Sequence, residues 1–215
     1  MKSILLVRHA ESEHHVQAIT GGWTDTVLTE RGQGQALLLA RRLKRELGDI
    51  PLEIGTSNLR RAVQTADLIG DALAAQPKIY AEITDLNNGI AAGLTHHQAR
   101  QIAIPFSEPS VDWQPYPGAE SWRQFYLRVA GFIADFHAKQ SVTAILVTHA
   151  ATVHVIVDWW LGVPLESPTH FGASPASITV LTYNRWQERS LERLNDTSHL
   201  YSDGLSEAID LSSTL

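Results

Sequence analysis

Two short apolar runs constrain most strongly what this chain can fold into. Ile4-Leu5-Leu6-Val7 passes into Arg8-His9, and Ala144-Ile145-Leu146-Val147 passes into Thr148-His149. A run with no polar alternation reads as a strand that is covered on both faces. That is the condition of a parallel sheet held between helical layers. Sheets of this kind place ligands outside the carboxyl ends of their strands. If both strands are central and parallel, both histidines reach one crevice. A neutral imidazole can serve there as a nucleophile, and a guanidinium beside it holds phosphate or carboxylate through paired N–H groups.

The intervening segments alternate in the same sense. Residues 13–27 form a long loop with Gly21, Gly22 and Trp23. Thr29 caps a helix with Ala36, Leu39, Ala40, Leu43 and Leu47 at helical spacing, ended by Gly48 and Pro51. A strand at 52–56 follows. Ser57 or Asn58 then caps a helix whose buried face carries Leu59, Ala62, Ala66, Ile69 and Leu73. Residues 78–81 read as a third strand. Residues 82–118 are a loop-rich insert with a short helix near 95–102. A helix at 119–139 has Trp122, Phe125, Val129, Phe132 and Phe136 inward, and the second histidine strand occupies 143–148. A helix at 152–161 and strands at 177–184 and 186–194 complete the pattern. Strands alternating with helices predict an α/β fold, a three-layer α/β/α sandwich around a mostly parallel sheet. Without repeats or linker-like runs, residues 1–215 read as one domain, with a polar, loosely held tail from about 195. Arg41, Arg42, Lys44 and Arg45 read as a solvated basic face.

Composition narrows the function. The chain has no cysteine, which excludes disulfides and thiolate chemistry and fits a cytoplasmic protein. No stretch is long enough to span a membrane, and the apolar run after Met1-Lys2-Ser3 is too short for a signal-peptide core. A net charge of −6 argues against nucleic-acid binding, which needs a basic surface. An acidic protein that binds an anion must gather its cations in one pocket. The chain is compatible with a homodimer.

Several motifs then fall in one order: Arg8-His9-Ala10-Glu11-Ser12, Gly22-Trp23-Thr24-Asp25, Leu28-Thr29-Glu30-Arg31-Gly32, Ser57-Asn58-Leu59-Arg60-Arg61-Ala62-Val63-Gln64-Thr65-Ala66, Gly118-Ala119-Glu120-Ser121 with Arg128-Val129, and Val147-Thr148-His149. Each is weak alone. Together, over residues 3–185, they resemble the histidine phosphatase superfamily, the phosphoglycerate-mutase-like clan, and its phosphatase rather than its mutase branch. The resemblance implies a phosphomonoester hydrolase. His9 would become a phosphohistidine. Arg8, Arg61 rather than Arg60, and His149 would hold the phosphoryl oxygens of a phosphorylated small-molecule partner, joined by His15 and Ala150. No cofactor or metal is implied, because arginines supply the positive charge.

Four positions depart from the family pattern. Ala10 and Ala150 replace glycines, His15 replaces an asparagine, and Asp85 stands where the family has a glutamate as general acid. Asp85 is the first candidate for that acid and Glu82 the second. Gly21, Gly22 and Trp23, with Trp113 and Tyr116, are candidates for the substrate pocket, and His14 and His96 for its entrance. Trp122 fits the core better. His14-His15 and His96-His97 invite a metal reading, but adjacent histidines point apart on most backbones and the usual ligand spacing is missing. Two alternatives remain. A mutase would need a cation for its substrate's carboxylate just after the acid, where this chain has Leu86-Asn87-Asn88-Gly89. A protein that binds a phosphorylated ligand with little turnover would tolerate all four departures.

Overall fold

A computed structural model describes residues 2–201 and 204–205. Six strands form one sheet: β1 (Ile4–Arg8), β2 (Leu52–Thr56), β3 (Lys78–Ile79), β4 (Thr143–Thr148), β5 (Ile178–Tyr183) and β6 (Arg189–Asp196). Their order is β3-β2-β4-β1-β5-β6. The first four are parallel, and β5 and β6 add an antiparallel edge. The pairing of β1 with β4 sets Ile4 opposite Ala144 and Arg8 opposite Thr148. His9 and His149 therefore leave neighbouring strands at the same level.

The segment read as a loop over 13–27 opens with a one-turn helix, α1 (Glu13–Val16). Alternate residues of each central strand point to opposite layers. Leu5, Val7, Ile54, Ile145 and Val147 pack against α2 (Glu30–Leu47) and α3 (Arg60–Leu73). Ile4, Leu6, Leu146 and Leu181 pack against α5 (Trp122–Lys139) and α6 (Ala150–Leu161). Both sets are apolar, which is why the strands show no alternation in sequence. The expected α/β/α sandwich is present. In α5, Phe125, Val129 and Ile133 are fully buried, while Trp122, Phe132 and Phe136 pack at its margins.

The loop after His9 is locked to α2. Thr29 Oγ1 accepts from Gly32 N–H at 2.9 Å and donates to Glu11 Oε1 at 2.6 Å. Arg31 pairs with the other oxygen of Glu11, and Glu11 N–H donates to Gln35 Oε1 at 2.9 Å. Helix and loop approach so closely that a Cβ at Gly32 would lie 1.9 Å from the Glu11 carbonyl oxygen.

Some boundaries differ from the sequence reading, each for a long-range reason. α3 starts at Arg60 with Leu59 as its N-cap, because the Ser57 hydroxyl is bound to His149 and the Asn58 side chain to Thr84. α6 starts at Ala150, two residues early, with His149 as N-cap. β3 ends at Ile79, and Ala81–Ile83 turns into a 3-10 helix. The insert contains the short helix α4 (His96–Gln101), capped by Thr95. Arg42 is not part of a solvated face. It is 6% exposed and bonds to Glu46, Asp196, Ser198 and His199. The tail is not loose from 195 either. β6 runs to Asp196, Leu200 is buried in the core, and the Leu205 carbonyl accepts from Gln35 and Arg31. The rest of that expected tail lies outside the described residues.

Two glycine substitutions should move stability in opposite directions. Gly32→Ala places a methyl group against backbone that cannot yield, and should lower the free energy of unfolding by about 1–3 kcal/mol. Gly131→Ala, in α5 with open space around the new Cβ, should raise it by about 0.5–1 kcal/mol. Urea unfolding of both variants checks the pair.

Candidate active site

His9 is the first residue beyond β1 and is 1% exposed. Its backbone N–H donates to the Thr148 carbonyl at 2.9 Å, which ties it to the neighbouring strand. Its ring Nδ1 lies 2.7 Å from the Ala10 carbonyl oxygen. A carbonyl only accepts, so the proton sits on Nδ1 and Nε2 keeps its lone pair. Arg61 Nε–H donates to that lone pair at 3.1 Å. Burial, reinforced by Arg61 and His149, holds His9 well below the ordinary histidine range. The ring is neutral at pH 7, as a nucleophile must be. Neither Ala10 nor Ala150 has a positive φ, so alanine is unstrained at both. Ala10 N–H donates to Thr65 Oγ1, whose hydroxyl donates to the Arg61 carbonyl at 2.8 Å.

Donors converge on the space before His9 Nε2. Arg61, fully buried at the start of α3, also donates to the carbonyls of Thr24 (2.6 Å) and Gly22 (2.7 Å). Arg60 turns outward and pairs with Asp25. Arg8 Nη1 donates to the Ala173 carbonyl at 2.7 Å, and its Nη2 lies 2.7 Å from His15 Nε2. His15 Nδ1 accepts from Ser12 N–H at 3.0 Å, which leaves its proton on Nε2. Two donors thus face each other, an arrangement that an anion between them relieves. His149 Nε2 lies 2.7 Å from the Ser57 hydroxyl, which also accepts from Leu59 N–H. The hydroxyl proton is then free to point at Nε2, and His149 carries its own proton on Nδ1. That nitrogen is buried without a hydrogen-bond partner among the described residues. Burial holds His149 neutral as well. Ala150 begins the twelve-residue α6 beside it, adding the positive end of a helix dipole. The rings of His149, His15 and His14 stand 5.1, 5.5 and 5.9 Å from that of His9.

His9, His14 and His15 bring potential ligand nitrogens within 4.8 Å of one another. The Nε2 of His9 already accepts from Arg61, and that of His15 is protonated and faces Arg8. Two guanidinium groups in contact with the cluster oppose a cation and suit an anion.

Asp85 stands on the other side of this space. Its Oδ1 accepts from Leu86 N–H at 3.0 Å. Its Oδ2 lies 3.5 Å from Arg61 Nη2 and 3.8 Å from His149 Nδ1. Burial pushes the carboxyl pKa up, against the opposing pull of Arg61. Arg128 holds the segment in place, donating to the carbonyls of Glu82 (2.8 Å), Thr84 (3.1 Å) and Asp85 (3.2 Å). Glu120 anchors Arg128 at 2.7 Å and accepts from Asn87 N–H at 3.0 Å. The carboxylate of Glu82 faces elsewhere, onto a groove shared with Glu53, Tyr80 and Lys139.

The remaining candidates divide. Trp23 Nε1–H donates to the Asp85 carbonyl at 2.7 Å, and its backbone N–H to Asn88 Oδ1 at 2.9 Å. Gly22 has φ +57°, and a Cβ there would meet Asn88 and the Leu86 carbonyl below 3 Å. Gly21 borders His14. These three therefore belong to the wall that carries Asp85. Trp113 packs on Phe106, its Nε1–H shared by the carbonyls of Ile104 and Pro105, so it braces the insert from within. Tyr116 sits in the same insert, its carbonyl accepting from Ala119 N–H, and His96 is exposed at the start of α4. Sequence reasoning assigned no site role to Thr65, Glu120 or Arg128, and took Ser57 only for a helix cap. Glu120 and Arg128 were nonetheless within a recognised motif.

The shifted histidines predict a pH dependence of stability. His9, His14, His15, His149, His154 and His199 all have pKa values lowered by burial, His14 to about 3 and both His154 and His199 to about 4. The unfolded chain takes up protons at these groups below about pH 6.5, and the folded chain does not. Their contribution is complete above that pH and is lost as pH falls. Asp158, pushed up to about 6 by burial, and Asp85 and Asp67, also raised by burial, act in the opposite sense but are outnumbered. Stability should fall by at least about 2 kcal/mol between about pH 7.5 and 5.5. Saturating inorganic phosphate, a counter-charge for the imidazolium forms, should offset part of the loss. Thermal unfolding across that range checks both.

Comparison with known proteins agrees with this geometry. Residues 4–197 match the histidine phosphatase superfamily (branch 1). Phosphoserine phosphatase 1 of Hydrogenobacter thermophilus is 30% identical over 207 residues, 93% of this chain and 95% of that protein. A Salmonella paratyphi C protein named as phosphoglycerate mutase GpmB is 26% identical over 222 residues, 96% of this chain and 99% of its own. Among solved structures, a mycobacterial glucosyl-3-phosphoglycerate phosphatase in complex with VO3 superposes with a TM-score of 0.76 at 25% identity, covering 91% of this chain and 99% of its own. With the paired strand-end histidines and the buried Arg61 in place, the chain belongs to the histidine phosphatase superfamily.

Proposed function

We propose that this protein hydrolyses phosphomonoesters of small metabolites through a phosphohistidine on His9. The observation that carries the reading is the state of the His9 ring: Nδ1 is pinned to the Ala10 carbonyl, and Nε2 points into a buried cluster of donors. Nε2 attacks phosphorus in line and the ester oxygen departs. Arg8, Arg61, His15 and His149, with the N-terminus of α6 at Ala150, hold the non-bridging oxygens and stabilise the charge that spreads over them. Asp85 Oδ2 gives its proton to the leaving oxygen. It then takes a proton from the water that attacks the phosphohistidine, which returns neutral His9 and inorganic phosphate. A raised Asp85 pKa suits the first of these steps. No lysine or arginine occurs at Leu86-Asn87-Asn88-Gly89, and Arg128 is committed to Glu120 and three carbonyls. This favours transfer to water over return of the phosphoryl group to a bound carboxylate-bearing substrate.

Phosphate release from a panel of phosphomonoesters between about pH 4 and 8 tests the proposal. His9→Ala should abolish release. Asp85→Asn should lower kcat by about 10²–10⁴-fold, with the larger loss on alkyl esters, whose leaving oxygen needs the proton most. The wild-type rate should fall as pH rises through the Asp85 pKa, and this limb should vanish in Asp85→Asn. Phosphate or vanadate binding that depends on Arg8 and Arg61, without turnover of any ester, would contradict hydrolysis and favour a binding protein.

A further inference from the structure

A second cavity, of about 650 Å³, lies beside the phosphate cradle. It starts at Ala150 and Ala151, the residues directly after His149. Its outer wall is the loop from Leu165 to His170, which continues to Ala173, whose carbonyl holds Arg8. The cavity is thus bounded by the two segments that position His149 and Arg8. Trp122 forms a flat wall, its ring stacked on that of His154 at 5.4 Å and 29°. Leu165, Pro168 and Val111 add apolar surface.

The charge around this cavity is one-sided. Among the described residues no lysine or arginine lines it, the carboxylate is Glu166, and the imidazoles are His154 and His170. Arg123 reaches Glu166 at 3.4 Å but is bound more closely by Asp112, at 2.7 Å. One guanidinium therefore stands against two carboxylates at the mouth. His154 Nδ1 accepts from Phe171 N–H at 3.2 Å, and its Nε2 lies 3.4 Å from Asp158 Oδ2, so its polar atoms are engaged away from any ligand. A carboxylate or second phosphate entering here would lose hydration and meet no guanidinium or ammonium group in the lining.

We infer that this cavity receives the leaving group of the ester and selects an uncharged alcohol with an apolar or aromatic body over one bearing a carboxylate or a second phosphate. This rests on the hydrolase reading above. The phosphoryl group fills the donor cluster, the ester oxygen faces Asp85, and the organic body lies against Trp122 and the first turn of α6. Trp122 packs on the core as its helical spacing implies, and its ring also lines this cavity, whereas Trp113 braces the insert.

The test compares phenyl phosphate with 4-carboxyphenyl phosphate, which differ in one charge on the leaving group. The wild-type kcat/KM should be about tenfold or more higher for phenyl phosphate, since a like charge is brought to a mouth where two carboxylates share one guanidinium. Glu166→Lys, at an exposed side chain, should narrow the ratio at least threefold by raising the rate on the carboxylated ester. Val111→Arg, on the opposite wall, should act in the same direction. Release from both esters within twofold of each other, unchanged by either substitution, would overturn the cavity assignment and leave the hydrolase reading standing. No release from any ester would overturn the hydrolase reading, and this assignment with it.

Discussion

The site depends on the in-register pairing of β1 with β4. Arg8 lies opposite Thr148, and the next residue on each strand is a histidine. The bond from His9 N–H to the Thr148 carbonyl continues that pairing one step past the end of β1. A slip of one residue would send every side chain of β1 to the opposite face, and apolar burial on both faces of the sheet resists it. The two rings are therefore held 5.1 Å apart by the core and not by each other. His9 and His149 thus follow directly on the buried central strands of the sheet.

Around that frame, the chain buries positive charge for an anion. A guanidinium out of water costs several kcal/mol unless its donors are satisfied. Arg61 meets this with the carbonyls of Gly22 and Thr24, the Nε2 of His9 and, more distantly, the carboxylate of Asp85. The same bonds that make its burial tolerable also shape loop 21–24 and orient the His9 ring. The histidines answer the shared field by staying neutral. A dianion reverses that balance, because it makes every nearby positive group favourable at once. Asp85 fits the same logic. Burial raises its carboxyl pKa, while Arg61 at 3.5 Å and His149 at 3.8 Å stand beside Oδ2.

What the sequence disclosed and what it hid differ by range of interaction. The two histidine strands, the Thr29 cap and the alternation of elements rest on local chemistry, and all were legible. Ser57 and Asn58 have good capping side chains, but their partners are His149 and Thr84, far along the chain, so the cap of α3 falls on Leu59, one residue past Asn58 and two past Ser57. Arg42 sits in a basic run, but Asp196, 154 residues away, draws it inward. The polar composition of the C-terminal segment concealed two leucines that anchor it, Leu200 in the core and Leu205 through its carbonyl on α2. Asp85 could be named only through the motif around it. Its frame of Arg128 and Glu120 needed the fold.

The central claim is that His9 carries the phosphoryl group. The most direct measurement is rapid acid-free quenching of the enzyme during turnover, followed by peptide mass spectrometry and ³¹P NMR of the trapped protein. A single phosphohistidine is expected on Nε2 of His9, stable to base and lost in acid; with an aryl ester, whose leaving oxygen needs the proton least, it accumulates further in Asp85→Asn because water activation slows. Turnover with His9 unmodified at every time point, including in Asp85→Asn, would contradict it and point to direct attack by water.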